Sequence, residues 1–218
     1  MNEFKFEEIT IQQTQIHLCS YSDFDPSKYT DHLTLPEKKR LNSFKNIQRK
    51  REFVATRILR SKAIGMKDIH YDDCGAPYMD SKVFISISHT KNKAGLAINK
   101  HYKIGLDLES IRPNIKTIMH KFLSEKEKMH FDTENIVELC KVWSAKETLY
   151  KLAGRKKILF KSELLLNRAS DNLWNGKIIN SDHTISVQLN TFEHENIIIT
   201  TNTEAIVKRE KTTSQMLP

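Results

Sequence analysis

The chain is poor in the residues that staple, kink or cradle. Its 218 residues hold three cysteines, six glycines and five prolines. Cys19, Cys74 and Cys140 are widely spaced and odd in number, so they make neither a disulfide framework nor a Cys-x-x-Cys metal knot. Reduced, mostly buried thiols are the expectation. No run of about 18 apolar residues occurs, which rules out a membrane-spanning helix. The opening MNEFKFEEITIQQTQIHLCS mixes charges with β-formers and contains no signal-peptide core, so a soluble cytoplasmic protein is expected. Walker A, GxGxxG, HExxH and GxSxG patterns are all missing, which removes the commonest nucleotide, zinc-protease and serine-hydrolase readings. With 39% hydrophobic residues, the composition is that of an ordinary globular protein rather than a disordered or fibrous one.

Positive charge is what the chain has in excess. Thirty-five Lys and Arg against 27 Asp and Glu give a formal charge of +8. An acidic partner or ligand fits that balance, whether nucleic acid, anionic lipid, an acidic protein or a polyphosphate. Much of the excess crowds one region: Lys38, Lys39, Arg40, Lys45, Arg49, Lys50, Arg51, Arg57, Arg60 and Lys62. Such a run reads as a solvated helix face or as a binding surface.

Periodicity predicts a mixed α+β chain. A strand is expected over 7–20, then two helical pieces from Pro36 to Ile64 that close at Gly65. Gly75 and Pro77 mark a turn in CGAPYM. VFISISHT reads as a strand ending at His89, with Ser86 and Ser88 on one face. AGLAIN and HYKIGLDLES read as two more strands, joined as a hairpin around Lys100. Beyond Arg112-Pro113, residues 115–131 are helical, with a capping pattern of Ser124 and Glu127. A helix over about 134–153 stops at Gly154, strands follow at 158–166, 185–192 and 196–201, and residues 208–218 look like a polar, flexible tail. The divisions are thus an N-terminal half, 1–110, a C-terminal half, 111–207, and the tail.

Two stretches carry the chemistry. In IGLDLE, Asp107 and Glu109 lie two residues apart, so both carboxylates of a strand point the same way. Unpaired carboxylates in an apolar run are costly to bury. They must reach solvent, pair with cations or bind a metal. In WSAKETLYK, Trp143, Glu147 and Lys151 fall at i, i+4 and i+8, one face of a helix. Glu147 and Lys151 also make an ordinary helix-surface ion pair. Three carboxylates suit a hard cation such as Mg²⁺ held against phosphate oxygens. His89 closing a strand reads equally as a structural histidine.

In order along 36–154, these segments resemble 4′-phosphopantetheinyl transferases of the surfactin-synthetase-activating (Sfp) type. LPEKKR and KREFVATRILR are similar to that family's basic helical region. GAPYM stands where the family has a Gly-Lys-Pro turn, SISHT at its Ser-His strand end, and IGLDLE at its Gly-x-Asp-x-Glu strand. FLSEKE resembles the Phe-x-Ser-x-x-Glu segment and WSAKETLYK the Trp-x-x-Lys-Glu-x-x-x-Lys helix. The resemblance implies two similar α+β halves in pseudo-twofold arrangement, a monomer, and transfer of the phosphopantetheine arm of coenzyme A to a serine of an acidic apo carrier protein. Asp107, Glu109 and Glu147 would then hold Mg²⁺, or Mn²⁺, and Lys151 would lie at the reacting phosphate. Arg51 and His89, with Lys38 and Arg40, would meet the 3′-phosphoadenosine end; Ser88 and the turn Gly75, Ala76 and Pro77 would run along the pyrophosphate and ribose. Either Glu147 or Lys151 would take the serine proton. Ala76 departs from the pattern, because the family lysine there is absent. Two other readings remain: a nucleic-acid-binding module built on the basic helices, and a Mg²⁺-dependent phosphodiester hydrolase using the same carboxylates.

Overall fold

Apolar residues alternating along the strands build two antiparallel sheets, each covered by one long helix. The computed structural model describes residues 3–155 and 157–210. In chain order come β1 (Phe4–Ile11), β2 (Thr14–Tyr21), a short 3₁₀ turn (Pro26–His32), α1 (Leu35–Ser43) and α2 (Ile47–Ile64). A small ribbon of β3 (His70–Tyr71) and β4 (Pro77–Tyr78) precedes β5 (Phe84–Thr90), β6 (Lys93–Asn99) and β7 (Leu106–Ser110). Then come α3 (Ile115–Phe122), α4 (Glu125–Lys128), α5 (Ile136–Leu152), β8 (Leu164–Arg168), β9 (Leu173–Ile179), β10 (His183–His194), β11 (Ile197–Asn202) and β12 (Val207–Glu210). The first sheet runs β1-β2-β6-β5 and the second β7-β11-β10-β9-β8, with β12 also on β10. No helix among the described residues is long and apolar enough to cross a membrane.

Parity along the strands sorts the side chains into three cores. Cys19 and Tyr21 of β2, with Leu96 and Ile98 of β6, face α2 and its Val54, Ile58 and Leu59. Ile198 of β11, Leu189 of β10 and Trp174 of β9 face α5 through Leu139, Ala145 and Leu149. A third core joins the two sheets, formed by Ile16 and Leu18 of β2, Leu106 and Leu108 of β7, and Ile197 and Ile199 of β11.

Several expectations need correction. The strand expected over 7–20 is a hairpin, because Gln12 takes a left-handed φ of 52° and reverses the chain without glycine or proline. The hairpin expected around Lys100 does not form: β6 pairs with β2 and β5, while β7 leaves for the second sheet and pairs with β11. β9 was not expected; Asn175 and Gly176 lie inside it. Residues 208–210, expected to start the tail, belong to β12 on β10; residues 211–218 of that expected tail lie outside the described residues. Cys74 is exposed, whereas Cys19 and Cys140 are buried, and burial pushes the Cys19 thiol up to about 12.

The basic run of α2 is not one solvated face either. Arg57 and Arg60 are 1% and 0% exposed. Both clasp Glu37 of α1, at 2.7 and 3.0 Å, and Arg60 also donates to the carbonyls of His32 and Lys67. This buried triad pins α1 onto α2.

Candidate active site

The two sheets meet where edge strand β5 lies beside edge strand β7. Backbone ladders do not join them. Instead the hydroxyls of Ser86 and Ser88 accept from the N–H groups of Leu106 and Leu108, at 2.9 and 3.0 Å, and Thr90 Oγ1 bonds Ser110 Oγ at 2.6 Å. Side chains spaced by two along β5 thus satisfy edge donors that would otherwise be orphaned in a buried seam.

Asp107 and Glu109 point away from Leu106 and Leu108, toward α5. Gly105 permits that approach: a Cβ there would stand 2.9 Å from Thr148 Cγ2 and 3.0 Å from Leu152 Cγ. The helix therefore lies close enough for Lys151 Nζ to donate to the Leu106 carbonyl (2.6 Å), Asp107 Oδ1 (3.0 Å) and Ser88 Oγ (3.1 Å). Ser88 also donates to Asp107 Oδ1 at 3.2 Å. Asp107 is 6% exposed, and its buried Oδ2 has no hydrogen-bond partner among the described residues. Burial, then the neighbouring Asp107 charge, raise the Glu147 carboxyl to about 7, with Lys151 and Arg155 opposing them. Glu109 is held by Arg112 at 2.8 Å.

This donor set suits a hard cation: it offers carboxylate oxygens without sulfur, and one buried oxygen lacks a partner. As placed, Asp107, Glu109 and Glu147 do not bring one oxygen each within 4.8 Å of one another, and Glu109 Oε1 is engaged by Arg112. A different trio, Glu7, His194 and Glu195, has its ligand atoms within 4.8 Å of one another. There the Glu195 carboxylate already accepts from Lys5 and Lys93, which leaves a cation little to gain.

The remaining expected residues divide by position. His89 lies between Glu52 (Nδ1 to Oε2, 3.4 Å) and Arg49 (Nε2 to Nη1, 2.6 Å), and burial lowers its pKa. Arg51 turns the other way, donating to Asp23 and to the Phe24 carbonyl. Arg49 thus stands by His89, whereas the resemblance had named Arg51 beside that histidine. Arg40 stacks 4.0 Å over Tyr71, the register partner of Pro77 in the β3–β4 ribbon, and Lys38 is half-buried on α1. Gly75 and Ala76 lie between β3 and β4 and Pro77 opens β4, beside a cavity of about 300 Å³ that Ala76, Pro77, Ser86 and Lys151 help to line. Arg155, which the sequence reading passed over, donates from Nη1 to the Gly75 carbonyl at 2.9 Å.

Lys146 was also unassigned. It is fully buried, and its Nζ reaches Glu127 Oε2 (2.8 Å) and the carbonyls of Phe122 (2.5 Å) and Phe160 (2.9 Å). Glu127 completes its own set with the Ser124 N–H and hydroxyl and the Leu166 N–H. The capping pattern was the visible trace of this pair; its long-range half was not visible.

A search among curated proteins finds no match to the chain. Residues 103–201, which hold β7 with Asp107 and Glu109 and α5 with Glu147, match the family model of the 4′-phosphopantetheinyl transferase superfamily.

Proposed function

We propose that this protein transfers the 4′-phosphopantetheine arm of coenzyme A to a serine of an acidic apo carrier protein, in a Mg²⁺-dependent reaction that releases 3′,5′-ADP. The observation that carries the reading is the buried Asp107 cluster with its unpartnered Oδ2, lying inside the stretch that matches the transferase family. The two sheets, each covered by one long helix, support a two-half arrangement of the surfactin-synthetase-activating type, with the site in the seam. A formal charge of +8 suits both a polyphosphate co-substrate and an acidic carrier.

Asp107, Glu109 and Glu147 are the residues to hold the cation. Bound there, Mg²⁺ or Mn²⁺ would neutralise diphosphate charge and align it for displacement. The serine oxygen forms a bond to the phosphorus next to the pantetheine, and the bond from that phosphorus to the bridging oxygen breaks. Glu147 takes the serine proton, because a carboxylate can accept it directly whereas the Lys151 ammonium must first lose a proton. Lys151 already donates all three of its hydrogens and acts as the cation that stabilises charge on the departing oxygen. Arg49, Arg51 and His89, with Lys38 and Arg40 further out, attract the 3′-phosphoadenosine end; Ser88 and the 75–77 turn border the diphosphate.

The test is the intact mass of apo carrier proteins of acyl, peptidyl and polyketide type after incubation with coenzyme A and Mg²⁺. Addition of one phosphopantetheine to a serine supports the reading. Unchanged masses across the panel refute it.

A further inference from the structure

The C-terminal end of α5 spends two left-handed residues on placing one arginine. Gly154 has φ 82° and Arg155 φ 56°. The Gly154 N–H bonds the Lys151 carbonyl and the Arg155 N–H the Tyr150 carbonyl, each at 3.1 Å. This is a Schellman closure. A left-handed arginine is uncommon and strained, and persists only where the surroundings fix it. Here the Tyr150 hydroxyl holds the Arg155 carbonyl at 3.2 Å, and the guanidinium is tied across the seam to the Gly75 carbonyl.

That guanidinium lines the same cavity as Ala76, Lys103 and Lys151. Of the basic side chains on this wall, Lys151 is paired with Asp107 at 3.0 Å and Lys103 donates to the Leu152 carbonyl at 2.9 Å. The lining carboxylate, Asp72, has its Oδ1 taken by the N–H groups of Cys74 and Ala76. The Arg155 guanidinium makes only the Gly75 hydrogen bond among the described residues, although it carries five donors. An anion is the group that complements such a wall, and a phosphate can take an arginine through two hydrogen bonds.

Resting on the transferase reading above, we propose that Arg155 is a ligand-binding residue for the diphosphate of coenzyme A, supplying from the end of α5 the positive charge that Ala76 does not. Held by Gly75, the side chain is preorganised, so its free donors meet the diphosphate without further ordering. The same contact couples ligand binding to the seam between the sheets.

Calorimetric titration of coenzyme A and of 3′-dephospho-coenzyme A, with Mg²⁺, tests this on wild type, Arg155→Ala, Arg155→Gln and the double variant Arg155→Ala with Ala76→Lys. The glutamine keeps a donor for the Gly75 carbonyl while removing the charge. Arg155→Ala and Arg155→Gln are expected to weaken both coenzymes equally, by about tenfold or more, as loss of a charged hydrogen bond implies. Ala76→Lys is expected to restore most of that loss for both. Wild-type affinity in both single variants, with a lowered melting temperature only in Arg155→Ala, would reduce Arg155 to a structural latch and overturn the inference. Wild type that binds neither coenzyme would overturn the transferase reading itself.

Discussion

Lys146 and Glu147 are neighbours on α5, yet they belong to polar clusters finished in different ways. Lys146 turns into the C-terminal core, where all three of its hydrogens meet oxygens and where both oxygens of its partner Glu127 are also satisfied. Glu147 turns toward β7, where Lys151 and Ser88 share one oxygen of Asp107 and leave the other without a partner among the described residues. Burial alone does not tell a structural ion pair from a functional one. Between these two clusters completeness is the difference: the closed set holds the fold, and the open carboxylate set retains binding capacity for a ligand.

The comparison breaks first at the open cluster. Glu147→Gln is expected to lower the transfer rate about 10²- to 10⁴-fold, the usual scale for losing a general base. Its melting temperature is expected not to fall; near-normal turnover in a mass-based assay would remove Glu147 from its role. The closed cluster gives the opposite signature. Lys146→Met strands the buried Glu127 carboxylate, and urea denaturation is expected to show a loss of about 3–5 kcal/mol. Stability within about 1 kcal/mol of wild type would mean that the closed set is dispensable.

A smaller effect lies in the pH dependence. The folded Glu147 carboxyl sits at about 7 against an ordinary 4.5, so the native state binds more protons between those values. Its contribution therefore falls as pH rises through that window. In metal-free buffer, the stability advantage of Glu147→Gln over wild type is expected to widen from pH 4.5 to pH 7, and a constant difference would contradict the raised value. Smallest is the outer site. Arg49→Ala, beside His89, is expected to weaken coenzyme A by about tenfold while sparing the 3′-dephospho form. Arg51→Ala is expected to do less, because Arg51 is tied to Asp23.

The carboxylates were legible because strand and helix periods are local. Parity alone placed Asp107 and Glu109 on one face, and i, i+4 spacing placed Glu147 and Lys151 together. The capping pattern at Ser124 and Glu127 was legible for the same reason. What failed depends on contacts distant in sequence. Neighbouring strands β6 and β7 read as a hairpin, but β7 packs Leu106 and Leu108 into the third core and takes β11 as its partner. Arg57 and Arg60 carry the composition of a solvated face, yet one buried glutamate from α1 draws both inward. Arg155 escaped notice because its placement rests on a backbone conformation that no local pattern announces.

The most direct test of the open-cluster account is the affinity of coenzyme A measured with Mg²⁺ and with a chelator, in wild type and in Asp107→Asn. Binding that is strong with Mg²⁺, weak with chelator, and insensitive to Mg²⁺ in Asp107→Asn is the predicted result. Equal affinity with and without Mg²⁺ in the wild type would contradict the account.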